Sequence, residues 1–385
     1  PVFFNHYNKH FLALCLLSAL LYCFNFSPAK HVFLTISLRS TGSFSAIFLL
    51  LMEIYMTREK NVLADDEGDV LAFCYDFDKT LSPEDMQAQG YIQELKENVE
   101  EFWEESNRLA REHGMDPNLA YMYLMLKGAE NNFYVKRDKL RRFGSKVKLY
   151  NGVESWFDRV NEMGRRHKLK VEHYIISSGV KDMIEGTKIG KKFKMIYANT
   201  FLYNEGGSAV WPAQIINFTN KTQFLLRIEK GAIDVNDANV NTYYKPSQLR
   251  VPFSNMIYIG DSATDIPCMK LVNSFGGHSI GVYDPIKRDK QQVYRLIRDQ
   301  RIRYFAPADY SEGSELETLV SKIIDYVAAG CELRHENERY VQESEENLRN
   351  KVYYEIQGLM IFLERCRSMT ITLESSIIHI LNTAE

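Results

Sequence analysis

Val70-Leu71-Ala72-Phe73-Cys74-Tyr75 is an unbroken apolar run without alternation, and two carboxylates, Asp76 and Asp78, follow directly after it. Such a run reads as a parallel strand buried on both faces. A strand buried on both faces needs helices on each side of its sheet, which commits this part of the chain to an α/β layer architecture. In open α/β sheets the ligand crevice lies beyond the carboxyl ends of the strands. The two aspartates therefore stand where chemistry is expected. A lone D-x-D is just as readily a turn, so its weight depends on what the rest of the chain brings to the same place.

The 385 residues suffice for one large or two ordinary domains. A hydrophobic fraction of 45% and 12% aromatics describe a globular chain with a sizeable core. The net charge of −3 gives no electrostatic case for binding nucleic acid. The cysteines at 15, 23, 74, 268, 331 and 366 contain no C-x-x-C pair. That pattern fits a reducing compartment and argues against a disulfide framework and a zinc site.

Residues 1–56 differ from all that follows. The chain begins at Pro1, and no acidic residue occurs before Glu53. Phe11 to Phe26 and Phe44 to Met52 are apolar runs; a membrane-spanning helix needs about 20 residues. Three readings stand open: a membrane anchor, a cleaved signal peptide, or upstream untranslated sequence read as protein ahead of a cytosolic start at Met56. The first makes residues 11–56 the one route to a membrane. The expected location is cytoplasmic, with anchoring through the N-terminal apolar segment as the alternative.

Downstream, the first strand lies within 65–81. Ile92, Leu95, Val99, Phe102, Trp103, Leu109 and Ala110 then fall at helical spacing. Further helices are expected over Asn118 to Ala129 and Phe133 to Phe143. The last carries Lys136, Arg137, Lys139, Arg141 and Arg142, either a solvated face or a charge that recruits an anionic substrate. Residues 82–148 thus read as a helical insert. The α/β pattern resumes with a helix over Val153–Met163 and a buried strand over Val171–Ser177. A helix near Val180–Gly186 and a short strand over Met195–Ala198 come next. A hairpin follows over Phe201–Trp211, then a helix from Lys221. Later strands are expected at Met256–Ile259, Ser279–Tyr283 and Arg303–Ala306. Helices are expected at Ala263–Leu271, Ser314–Ala328 and Asn337–Glu364. The core therefore comprises 65–81 and 149–330, with a helical C-terminal extension over 331–385.

Three strand ends carry polar groups: Asp76 and Asp78, then Ser177, then Asp261 and Asp265, with Lys221 opening a helix between the last two. Singly, each has a bland role, as a strand-end hydroxyl, a surface lysine or a helix cap. Together they are harder to dismiss. Four carboxylates around one crevice repel one another, and a divalent cation resolves the repulsion; carboxylate oxygens suit Mg²⁺. A hydroxyl and an ammonium opposite them suit a phosphate.

In order and spacing this set resembles the haloacid dehalogenase-like hydrolase superfamily, over roughly residues 70–330. Its four motifs read here as Asp76-Phe77-Asp78-Lys79-Thr80, Ile175-Ile176-Ser177-Ser178-Gly179, Lys221 and Gly260-Asp261-Ser262-Ala263-Thr264-Asp265. The insert at 82–148 falls where that family carries a helical, C1-type cap. The branch it looks most like is the phosphoserine-phosphatase-like group, with one departure: Thr264 stands where that branch often has Asn, so phosphoserine is not implied as the substrate.

The resemblance implies a Rossmann-like parallel sheet and a Mg²⁺-dependent phosphatase acting on a small phosphorylated metabolite. Asp76 would be the nucleophile, forming an aspartyl-phosphate, and Asp78 the general acid and base. Thr80 would orient Asp78 beside the phosphate. Ser177, the Ser178 N–H and Lys221 would bind the phosphate. The metal would be held among Asp76, Asp78 (through its carbonyl), Asp261 and Asp265, with Asp265 also bracing Asp261 and Lys221. Physical reasoning agrees, because a carboxylate approaching a phosphate dianion needs cations to screen it. Dehalogenases of the family need only the first aspartate, and its cation pumps carry Thr at the second position. Asp78 therefore favours a phosphomonoester. Two alternatives stay open: a phosphotransferase or mutase on the same site, and a membrane-anchored protein that binds a phosphorylated ligand without turning it over.

Overall fold

The computed structural model describes residues 68–130 and 132–382, all within the compact unit Glu67–Glu385. The apolar runs of residues 1–56, and the three readings attached to them, lie outside the described residues. Among the described residues, no helix is long and apolar enough to cross a membrane.

The run that opens the domain forms β1, Val70–Tyr75, buried along its whole length. After it come β2 (Lys170–Val180), β3 (Met195–Tyr203), β4 (Ala209–Gln214), β5 (Met256–Gly260), β6 (His278–Tyr283) and β7 (Tyr304–Pro307). They make one sheet in the order β4-β3-β2-β1-β5-β6-β7. All neighbours are parallel except the β3–β4 pair, an antiparallel edge. The expected short strand at Met195–Ala198 and the first arm of the expected hairpin are one continuous strand, β3, which leaves the parallel core and turns back through Asn204-Glu205-Gly206-Gly207.

β1 has β2 on one side and β5 on the other, so the winding reverses at β1. That reversal opens a crevice at the carboxyl ends of these strands. Alternate residues of β1 feed two separate cores. Leu71, Phe73 and Tyr75 pack on one face with Trp156, Phe157 and the insert. Val70, Ala72 and Cys74 pack on the other with Phe224, Leu225 and Met269. The two-faced burial explains why the run shows no alternation. Cys74, Cys268 and Cys331 are buried free thiols.

Between β1 and β2 lie α1 (Tyr91–Glu94), α2 (Val99–His113), α3 (Pro117–Ala129), α4 (Arg137–Gly144) and α5 (Val153–Arg166). The single helical stretch expected from Ile92 to Ala110 is broken. Lys96 turns left-handed, and Asn98 caps α2 by accepting from the Glu100 and Glu101 N–H groups. The helix expected over Phe133–Phe143 starts only at Arg137. Three of its basic residues are paired: Arg137 with Asp182, Lys139 with Glu94, Arg141 with Glu185. They tie α4 to neighbouring helices, including α6 (Lys181–Gly186), rather than lying free for a substrate.

The remaining helices are α7 (Thr222–Lys230), α8 (Ile266–Ser274), α9 (Gln291–Arg298) and α10 (Glu315–Asn382). Sequence reading missed α9. It also divided α10, which runs on without a break through Gly330. One interior glycine costs a helix only about 1 kcal/mol, too little to end one anchored by Leu316, Val320, Ile323, Ile324 and Val327.

A neutral histidine is built into the core beside β1. Trp156 Nε1 donates to the Tyr75 hydroxyl (3.0 Å), and Tyr75 Oη lies 3.1 Å from His173 Nδ1. His173 Nε2 lies 3.0 Å from Asn161 Oδ1. Because Tyr75 accepts from Trp156, its own proton goes to Nδ1, and the ring carries its proton on Nε2. Burial pushes the His173 pKa down to about 3. Its folded pKa thus lies below its unfolded value, so between about pH 6.5 and 3 the unfolded chain binds a proton that the folded chain does not. Stability from this residue is present above that window and is lost as pH falls through it, by about 1.4 kcal/mol per pH unit at most. Urea unfolding from pH 7 to 5 should show this slope, and His173→Asn should flatten it. An unchanged slope in the variant would remove His173 from the account.

Candidate active site

The turn after β1 is tight. The Thr80, Leu81 and Ser82 N–H groups all point back to the Phe77 carbonyl at 3.3, 2.9 and 3.1 Å. Lys79 takes a left-handed φ of 57° to close the turn, a strain of order 1–3 kcal/mol for a residue with a Cβ. Its ammonium lies 3.1 Å from Asp85. The turn holds Asp76 and Asp78 on different partners. Asp76 Oδ1 accepts from the Phe77 N–H at 2.7 Å, and its Oδ2 faces Lys221 Nζ at 3.1 Å. Asp78 Oδ1 accepts from the Met86 N–H at 2.8 Å, at the start of the insert.

Lys221 is fully buried. An Asx turn sets its backbone. Asn217 Oδ1 accepts from the Thr219 and Asn220 N–H groups at 2.9 and 3.1 Å, and the Lys221 N–H reaches the Asn217 carbonyl at 3.1 Å. The ammonium then meets Asp265 Oδ1 at 2.8 Å. Asp265 is fully buried and saturated. Its Oδ1 also accepts from the Tyr258 hydroxyl (2.8 Å), and its Oδ2 accepts from the Ser262 N–H (3.2 Å) and hydroxyl (3.0 Å). Gly260 makes room for it, since a Cβ there would stand 2.6 Å from Asp265 Oδ2. Ser262 gives its proton to Asp265, so the Thr264 hydroxyl, 2.7 Å away, donates to Ser262. Thr264 is thereby engaged within its own loop.

Asp261 follows β5 and is partly accessible. Thr80 Oγ1 donates to its Oδ1 at 3.3 Å, and its carbonyl accepts from Gln292 at 2.9 Å. Thr80 thus contacts Asp261, not Asp78 as its expected orienting role requires. Gln292 went unnoticed in the sequence because α9 did. Oxygens of Asp76, Asp261 and Asp265 lie within 4.8 Å of one another. Asp78 is outside this group, its carboxylate turned toward Met86.

Ser177 and Ser178 lie at the end of β2. The Ser177 side chain is near enough to Asp76 to favour its charged form, and its hydroxyl accepts from the Gly179 N–H at 3.1 Å. Gly179 lets the chain pass close to its neighbours: a Cβ there would lie 2.3 Å from Met86 Cε and 3.1 Å from Asp78 Oδ2.

The charges explain the proton affinities. Desolvation, then the Asp265 charge, raise Asp76 to about 6 against the pull of Lys221 and the Phe77 N–H. Desolvation, then Asp265 and Asp76, raise Asp261. Asp78 is raised well above the usual carboxylate range by desolvation and by Asp85 and Asp76. Burial would lower Lys221, but Asp265 and Asp76 outweigh it and hold it protonated. Three carboxylates share one ammonium, and the excess negative charge suits a small hard cation with oxygen ligands. The donor set therefore fits Mg²⁺.

Residues 73–270, just over half of the chain, match the family profile of haloacid dehalogenase-like hydrolases. An uncharacterized protein of Borreliella burgdorferi is 24% identical over 277 residues, 66% of this chain and 95% of its own length. Among solved structures, a hydrolase of the same family from Salmonella enterica serovar Typhi is similar at 16% identity. That match covers 63% of this chain and 68% of the other, with a TM-score of 0.42. A phosphoserine phosphatase solved as a phospho-aspartyl intermediate analogue is similar at 15% identity, over 66% of this chain and 99% of the other, with a TM-score of 0.40. By the extent of the profile match, the chain belongs to the haloacid dehalogenase-like hydrolase family.

Proposed function

We propose that the protein is a Mg²⁺-dependent phosphatase that hydrolyses a small phosphorylated metabolite through an aspartyl-phosphate on Asp76. The observation that carries this reading is the division of labour between the two aspartates. Asp76 sits against Lys221 and Ser177, with Asp261 beside it. Asp78 is held apart on the Met86 N–H and has a raised proton affinity. One carboxylate is placed to attack, and the other to carry a proton.

In this reading a carboxylate oxygen of Asp76 attacks phosphorus in line with the ester oxygen. Lys221 offsets negative charge on both partners. The Ser177 hydroxyl and the Ser178 N–H receive the phosphoryl oxygens. Asp78, protonated through its raised pKa, gives its proton to the departing alkoxide as the ester bond breaks. The resulting carboxylate then takes a proton from water as that water attacks the phosphoenzyme, which regenerates Asp76. Asp76, Asp261 and the Asp78 carbonyl would hold Mg²⁺, which would screen the approach of one anion to another. Asp265, with every lone pair taken, suits a brace for Lys221 better than a metal ligand. Thr80 suits a support for Asp261. Residues 82–148 act as the cap over the crevice, and 65–81 with 149–330 as the core.

Two tests follow. Mg²⁺ should raise Tm in the wild type but not in Asp261→Asn. Chelation should abolish phosphatase activity, Mg²⁺ should restore it, and Ca²⁺ should inhibit through its looser, higher coordination. Full activity after exhaustive chelation would rule out the metal role. In rapid-quench kinetics with p-nitrophenyl phosphate, Asp76→Asn should give no turnover and no phosphoenzyme. Asp78→Asn should release one equivalent of nitrophenol and then stall, with dephosphorylation slowed about 10²–10⁴-fold. A burst from Asp76→Asn would refute the role assignment.

A further inference from the structure

Ladder pairing between β2 and β3 is interrupted just where β2 reaches the crevice. Ile176 pairs with Tyr197 and Val180 with Asn199, so four steps along β2 match two along β3. The surplus residues bulge out at Ser177-Ser178-Gly179. A bulge of this kind re-aims a strand but strips its peptide groups of ladder partners, and a buried carbonyl left alone costs free energy. The Ser178 carbonyl is not left alone. The Tyr121 hydroxyl donates to it at 2.8 Å and Asn199 Nδ2 donates to it at 2.8 Å. Asn199 Nδ2 also reaches the Tyr121 oxygen at 2.7 Å, and its Oδ1 accepts from the Ile216 N–H at 2.6 Å. The Ser178 hydroxyl in turn donates to the Ile216 carbonyl at 2.8 Å. Tyr121 is 3% exposed and Asn199 is 0% exposed, so both donors are withdrawn from bulk water, while Ser178 itself is partly accessible. Tyr121 belongs to α3 in the helical insert, whereas Asn199 belongs to the sheet.

We infer that Tyr121 and Asn199 are positioning residues that fix the conformation of the Ser177–Gly179 bulge, and so the affinity of the crevice for a phosphoryl group. Neither side chain is placed to touch substrate; each acts through the Ser178 peptide. The insert thereby supplies part of the anion site's framework, and docking of α3 on the sheet and assembly of the phosphate cradle are one event. The same joint extends to the turn before Lys221. Asp116 caps α3 by accepting from the Asn118 N–H at 2.8 Å, and its other oxygen accepts from Asn217 Nδ2 at 2.6 Å. Asn118 donates to the Ile216 carbonyl at 3.0 Å. This inference rests on the phosphatase reading and adds residues to it that no motif contains.

The test uses the full chain with inorganic phosphate as the probe, in Mg²⁺, by calorimetry and as a product inhibitor of p-nitrophenyl phosphate hydrolysis. Tyr121→Phe keeps the ring and removes one donor. It should weaken phosphate binding about tenfold, the scale of one lost hydrogen bond. The loss in kcat/KM should fall on KM, with Tm little changed. Asn199→Asp turns the second donor into an acceptor facing the same carbonyl and should weaken binding further; if it fails to fold, Tyr121→Phe decides alone. Wild-type phosphate affinity in Tyr121→Phe, or a loss that vanishes once temperature is lowered to match its stability, overturns the inference and leaves the phosphatase reading intact. A wild-type protein that binds no phosphate overturns both.

Discussion

The buried ammonium of Lys221 is the contact on which the rest of this structure depends. Taking such a group out of water costs several kcal/mol unless it is paired and hydrogen-bonded. Asp265 and Asp76 meet that demand at 2.8 and 3.1 Å. Yet the two anions and Asp261 together exceed the charge of one lysine. Each neighbouring donor answers the surplus: Tyr258 and Ser262 on Asp265, the Phe77 N–H on Asp76, Thr80 on Asp261. Asp265 is quenched completely by its four contacts. Asp76 and Asp261 have fewer donors, and burial with the neighbouring carboxylates raises their proton affinities. Asp76 and Asp261 are thus the two carboxylates of the cluster left to hold the proposed Mg²⁺.

Bringing those groups together is the work of topology. Asp76, Ser177, Lys221 and Asp261 are far apart in sequence but lie at the ends of β1, β2 and β5 or at the head of α7. β1 is central because the winding reverses there. It can be central because its residues are apolar on both faces and feed both cores. The feature that buries the strand also ensures that the first polar residues after it emerge at the crevice.

This connection is what made the site legible in the sequence. Apolar runs ahead of Asp76, Ser177 and Asp261 announce the strands, although β2 runs on past Ser177 to Val180. Lys221 was legible only as a member of the ordered set, since nothing local distinguishes it from a surface lysine. Other features left weaker traces. The break between α1 and α2 rests on one left-handed lysine and the Asn98 cap, which the apolar spacing overrides when read alone. The partner of Thr80 follows from the tight turn at Phe77, and the continuity of α10 from packing that outweighs one glycine. Tyr121 and Asn199 carried no signal at all. A tyrosine in an apolar helix and an asparagine in a strand acquire their roles only when a register shift in β2 exposes a carbonyl between them.

The attachment of the insert to the sheet makes the same point energetically. The basic residues of α4 draw the eye, yet Arg141 and its partner Glu185 are both partly exposed, and exposed ion pairs contribute about 0–1 kcal/mol; the Asp182 that meets Arg137 is buried. The Tyr121–Ser178–Asn199 cluster is smaller, but its two donors are buried. There, a buried donor that loses the carbonyl goes unmatched, at a cost of about 1–3 kcal/mol. A shift of α3 that leaves every α4 ion pair intact still strips the Ser178 carbonyl of a donor. The insert's position is therefore sensed at the Ser178 carbonyl behind the bulge, next to Ser177 in the chain.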